Sequence, residues 1–176
     1  MKSLLFGPSV TMAIAIIIVA TAQAADAPLY VYPLMKEVVA PKAQILWDVG
    51  NKIMDDDGNA DGSKLKPADW TNLAAAAAAM KDASARIAAA PRVAVVAPGM
   101  KIEGEGAPGS SSAKQIQAYI DKNPRAFAAQ AQALVTVTNG FLDAAKTRDA
   151  VKLMTASAKL DEACEACHVK FWYPEQ

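Results

Sequence analysis

The chain has 176 residues, 53% of them hydrophobic in the broad sense, and its 18 lysines and arginines balance its 18 aspartates and glutamates. That length fits one domain, with no sequence repeat, and the even charge supplies no concentrated basic face for nucleic acid. Two cysteines are too few, and too close together, to make a useful disulfide staple.

The first 24 residues, MKSLLFGPSVTMAIAIIIVATAQA, hold one lysine, an apolar run from Met12 to Ala20 and the small-residue pattern Ala22-Gln23-Ala24. They read as a signal peptide cleaved near Ala24 or Ala25, because the apolar run is well short of the roughly 18 to 20 residues that span a bilayer. Export is then expected to place residues 25–176 in the periplasm as the mature domain, without a membrane span. Removal of Lys2 leaves 17 basic and 18 acidic residues, a formal charge of minus one.

From Ala25 on, apolar residues recur in alternating steps of three and four, the spacing of one helix face. In the first segment Met35, Val39, Lys42, Leu46, Val49 and Ile53 form a stripe that only the lysine breaks. Pro41 inside it predicts a kink or a fresh start at Ala40, and Asp55-Asp56-Asp57-Gly58-Asn59 predicts a turn at its end. The second segment opens at Lys66-Pro67-Ala68-Asp69, with a proline suited to a first helical turn. It carries Trp70, Leu73, Ala77, Met80, Ser84 and Ile87 on one face, contains the strongly helix-forming alanine run 74–79 and stops at Pro91. Residues 91–112, PRVAVVAPGMKIEGEGAPGSSS, have no helical period and read as a long functional or mobile loop. After a short helix following Ser112, a third long helix is predicted from Pro124 to Lys146, with Phe127, Ala131, Leu134, Thr138, Phe141 and Ala145 aligned. A fourth, from Asp149 to Tyr173, aligns Leu153, Ser157, Leu160, Cys164, Cys167 and Phe171. No long stretch alternates with the period of a strand. Four amphipathic helices of about 20 residues predict an all-α four-helix bundle.

Both cysteines and the single histidine of the chain fall within CEACH, as Cys164, Cys167 and His168. Offsets of three and four project all three from one helix face. The arrangement suits covalent haem attachment, with the two thiols added to two vinyl groups and His168 reaching the iron as proximal ligand. A structural zinc site would need further ligands, and the sequence has no other Cys or His. A thioredoxin-like dithiol would follow a strand at a helix N-terminus, where the dipole lowers a thiol pKa; this pair lies late in the last helix.

The signal peptide, the four helices and Cys164-Glu165-Ala166-Cys167-His168 followed by Val169-Lys170-Phe171-Trp172 resemble the class II cytochromes c, the group of cytochrome c prime and its low-spin relatives. The resemblance covers residues 25–176. It implies an antiparallel, up-down-up-down bundle with one covalently bound haem c per chain. The haem would lie where the C-terminal end of helix four meets the N-terminal end of helix one, the C-terminal end of helix two and the N-terminal end of helix three.

A single histidine leaves the distal position to a methionine, to another weak ligand or to nothing. In the implied bundle, Met154 lies 14 residues before His168, about 21 Å along a helix, and Met54 lies 19 residues beyond Met35, about 28 Å away. Met80 is expected to fill the core, so Met35 and Met100 remain as candidates. Low-spin members of the group place a methionine ligand early in helix one, in a stretch like Leu34-Met35-Lys36. That implies Met35 as distal ligand and an electron carrier between redox partner proteins. Cytochrome c prime presents an apolar residue there, which implies instead a five-coordinate iron that binds NO or CO. Neither is an enzyme, and no general acid, base or nucleophile is evident in the sequence beside the haem.

Trp172, four residues after His168, is expected on the same face, where it either packs beside the haem or donates to a propionate, or serves simple core packing. Tyr30 and Tyr32 admit the same two uses, and Trp47 and Trp70 are expected in the core or at an interface. The helix-one arginine that often meets a propionate in the family has no counterpart here, and Lys36, Arg92 or Lys101 is the available replacement. The resemblance also allows a homodimer through helices one and two.

Overall fold

A computed structural model describes residues 27–173, and the predicted signal peptide lies outside that range. Helix α1 is assembled from Val31–Leu34, a π-helical turn Met35–Val39 and Ala40–Lys52, which run on without a break. Pro41 accounts for the π turn. It offers no N–H to the Glu37 carbonyl and its ring crowds that carbonyl, so the backbone widens and the Ala40 N–H donates to the Met35 carbonyl five residues back. The regular register thus resumes at Ala40, as the proline predicts, through a wide turn rather than a break. The widening also moves the inward stripe, which runs Val31, Met35, Val39 and Ala43 in steps of four before Leu46, Val49 and Ile53. Ala43 is buried where Lys42 was expected, and the lysine stays partly exposed.

The turn after α1 is held by the Asp55 carboxylate, which accepts from the backbone N–H groups of Asp57 and Asn59 at 3.0 and 2.6 Å. Helix α2, Pro67–Ala89, begins where Asp69 reaches back to the Lys66 N–H at 2.8 Å. All six residues of its predicted stripe are buried. Helix α3, Ala113–Lys122, opens on a reciprocal cap between Ser112 and Gln115. Helix α4, Pro124–Thr147, is capped by Asn123, and helix α5, Ala150–Phe171, by Asp149. Arg148, between them, takes a left-handed backbone at φ 51°.

The described chain is therefore all-α but for one pair of two-residue strands, β1 (Leu29–Tyr30) and β2 (Val93–Ala94), which lie parallel. This pair ties the start of α1 to the loop that follows α2. Gln117 of α3 secures the same loop, accepting from the Val95 N–H at 2.8 Å and donating to the Val93 carbonyl at 3.2 Å. No helix among the described residues is long and apolar enough to cross a membrane.

The most extensive helix contact joins α2 to α4, the next α4 to α5, and α1 lies on α2 while also touching α5. Two clusters of buried apolar residues result. One is built on Leu46, Leu73, Met80, Phe141 and Leu160, the other on Ile87, Ile116, Ile120, Phe127 and Phe171. Where α1 meets α5, a side chain at Gly50 would collide with the Ser157 hydroxyl and lie 3.3 Å from its Cβ. That hydroxyl is buried without a hydrogen-bond partner. Ser157→Ala is expected to raise the unfolding free energy by about 1–2 kcal/mol, the cost of an unpaired buried hydroxyl. Gly50→Ala is expected to lower it by about 1–3 kcal/mol through overpacking, despite a helix-propensity gain of about 1 kcal/mol. Urea denaturation of both variants checks the pair of signs.

Candidate functional site

A cavity of about 440 Å³ opens between the two apolar clusters. Its walls come from α1 as far as Trp47, the C-terminal end of α2, the N-terminal part of α4 and the C-terminal end of α5, with Val95, Ile116 and Ile120 closing one side. Small side chains leave the space: Ala40 and Ala43 on α1, Ala131 on α4 and Ala163 on α5 stand where a leucine would fill it. Volume and apolar lining both fall in the range of cofactor and small-molecule sites.

Cys164, Cys167 and His168 all reach this cavity from α5, and Met35 reaches it from α1. Trp172 lines it too, its ring 6.1 Å from that of Tyr32 and nearly parallel, and 6.2 Å from the His168 ring. Met100 does not line it and is 64% exposed. Met80 is fully buried in the larger cluster, Met54 is exposed, and Met154 packs against that cluster away from the cavity. Of the cations considered for a carboxylate partner, Lys36 lines the cavity at its exposed rim, whereas Arg92 lines a separate hollow beside Gln117 and Asp121.

Sequence periodicity missed several wall residues, four of which are informative. Trp47 lies four residues beyond Ala43, half-buried, and its indole N–H donates to Asp161 at 2.7 Å. Gln130 follows Phe127 by three residues and so shares its face. Ala163 precedes Cys164, and Val95 belongs to a loop with no period to read. The 3-and-4 spacing around Ala43 and Phe127 was the available signal for the first two.

The reactive groups are neutral for a physical reason. Burial pushes the Cys164 thiol up to about 11, with the Asp161 carboxylate adding to the effect. Burial also takes Cys167 up to about 11, with Cys164 adding and Lys170 opposing. Both thiols lie near the C-terminal end of α5, where the helix dipole disfavours an anion. A redox dithiol needs the reverse, a depressed pKa. Burial likewise holds the His168 imidazole below its ordinary value, against the pull of Glu165, and so leaves a lone pair free. Glu165 accepts from the Tyr173 hydroxyl at 2.8 Å.

At the cavity rim the Lys36 ammonium donates to Glu103 at 2.7 Å, and the Glu103 N–H donates to the Tyr32 hydroxyl at 2.8 Å. Both fasten the glycine-bearing loop over the start of α1. Among the described residues, no group of three or more His, Cys, Asp or Glu side chains is placed to hold a metal ion unaided. Comparison with protein-family models, curated proteins and solved structures finds no match to this chain.

With both thiols free, about a hundredfold fewer thiolates than in a model thiol, partly offset by higher nucleophilicity, are expected to slow thiol reagents about tenfold at pH 7.5. The rate should climb until pH is about 11. Because the folded pKa values exceed the unfolded ones, the thiols' contribution to stability is full below about pH 9 and is lost as pH rises to about 11. Reagent kinetics and urea denaturation between pH 7.5 and 11 check both statements.

Proposed function

We propose that this chain is an exported, periplasmic electron carrier of the class II cytochrome c kind, an up-down-up-down four-helix bundle holding one covalent haem c. The observation that carries the reading is the meeting of Cys164, Cys167, His168 and Met35 in one apolar cavity of about 440 Å³. Residues separated by more than a hundred positions share that wall, and each is of a type the cofactor uses.

Cys164 and Cys167 would hold the haem through thioethers, each S–H adding across a vinyl C=C with its hydrogen retained, so that neither oxidant nor leaving group is involved. His168 would be the proximal iron ligand, its imidazole kept neutral by burial. Met35 would be the distal ligand, a thioether that needs no deprotonation and matches the apolar wall. Bound there, haem supplies a one-electron iron couple, whose potential an imidazole and a thioether would set high. The apolar walls exclude water, and Trp172 packs against the His168 side of the cavity. Nothing in this arrangement calls for a catalytic acid or base; electrons would pass to and from redox partner proteins.

Mass spectrometry of the protein purified from an exporting host is expected to show one haem on a chain starting near Ala25; a bare mass defeats the reading. The ferric protein should show a low-spin spectrum with a methionine-to-iron charge-transfer band and no response to CO on reduction. Met35→Ala should abolish that band and produce a high-spin iron, whereas Met100→Ala should leave both unchanged. A wild-type protein already high-spin and shifted by CO would make gas binding by a five-coordinate iron the better function.

A further inference from the structure

We infer that Pro41 is a positioning residue: through the π-helical turn it decides that α1 turns Met35 inward to the part of the cavity shared with His168 and leaves Lys36 at the exposed rim. A π turn holds one residue more than an α turn, so every residue upstream of it is turned back by about 100° relative to the helix body. Counting back from Ala43 at 3.6 residues per turn, an unbroken α-helix would turn Lys36 inward, in line with Ala43. With the extra residue the position falls to Met35, and the inward residues become Val39, Met35 and Val31.

The two registers place opposite chemistry in the same spot. Met35 offers a neutral thioether. Lys36 in its stead would carry an ammonium into an apolar wall and give up its 2.7 Å bond to Glu103 at the rim. Only Pro41 separates them locally. An unbroken register needs a donor from residue 41 to the Glu37 carbonyl, which proline lacks, and room beside that carbonyl, which its ring occupies. The observed bond from the Ala40 N–H to the Met35 carbonyl is the alternative that remains.

The functional meaning of this register rests on the haem reading, but the register can be tested apart from it. Through-hydrogen-bond NMR should detect coupling from Ala40 N to the Met35 carbonyl carbon in the wild-type chain. In Pro41→Ala that coupling should be lost and one from residue 41 to the Glu37 carbonyl should appear. In the haem-loaded protein, Pro41→Ala should also lose the methionine charge-transfer band. The double variant Met35→Leu with Lys36→Met should lack the band while Pro41 is present and recover it when Pro41→Ala is added.

Persistence of the Ala40–Met35 coupling and of the band in Pro41→Ala overturns the inference. So does a band in the double variant with Pro41 retained, a result that can be read even if Pro41→Ala fails to fold. A wild-type protein without haem or without the band defeats the proposed function instead, and leaves the coupling measurements to decide the register.

Discussion

The contact between α2 and α4 carries the rest of the molecule. Ala76, Ala77 and Ala83 are buried on α2 and Ala144 on α4, so the two backbones can approach closely while Leu73, Met80, Leu134 and Phe141 fill the remaining volume. Two buried hydroxyls belong to these helices. The Ser84 hydroxyl donates to the Met80 carbonyl and that of Thr138 to the Val135 carbonyl, each at 2.8 Å, so neither leaves an unpaired group in the core. With this pair fixed, α1 is laid on α2 and α5 on α4, and α1 closes against α5 only because Gly50 has no side chain.

Beyond that close packing the helices hold a cavity rather than a core. The transition falls between Met80, fully buried in one cluster, and Ile87, buried in the other. The groups with chemistry stand on this boundary: Met35 packs against both clusters, Cys164 against the first and Cys167 against the second. All are uncharged at neutral pH, which is what an apolar wall tolerates. The charges of the region, Lys36, Glu103 and Glu165, lie at the rim in hydrogen bonds exposed to water, so the cavity combines polar reactivity with an apolar lining.

Much of this was legible from residue spacing because helices report their faces faithfully. The α2 stripe from Trp70 to Ile87 is buried residue for residue, and the CEACH segment lines the cavity on one face of α5 as its offsets require. The α1 stripe is the instructive exception. Spacing placed Lys42 inward because positions 42 and 43 lie four and three residues before Leu46 and flank the same face, so period alone does not choose the alanine, and the turn before Pro41 adds a change of residues per turn that no constant period foresees. Pro41 was visible as a disturbance, yet a kink, a break and a widened turn all begin from the same missing donor. Two-residue strands are too short to alternate, so β1 and β2 carried no signal. Trp47 and Gln130 were hidden for another reason: a cavity wall is wider than the stripe that fills a core, and residues flanking the stripe become lining where the helices part.

The short link between α4 and α5 bears on how such a site assembles. Only Arg148 and Asp149 separate the two helices, so the wall they share closes at small cost in chain entropy. That helical hairpin already contains Phe127, Ala131, Cys164, Cys167 and His168. Met35, by contrast, meets the two thiols and the imidazole from across more than a hundred residues of sequence, a contact whose closure is entropically dearer and kinetically slower. The thiols and the imidazole can therefore come together on a locally formed scaffold before the long-range contact is made, and α1 arrives as the piece that closes the cavity.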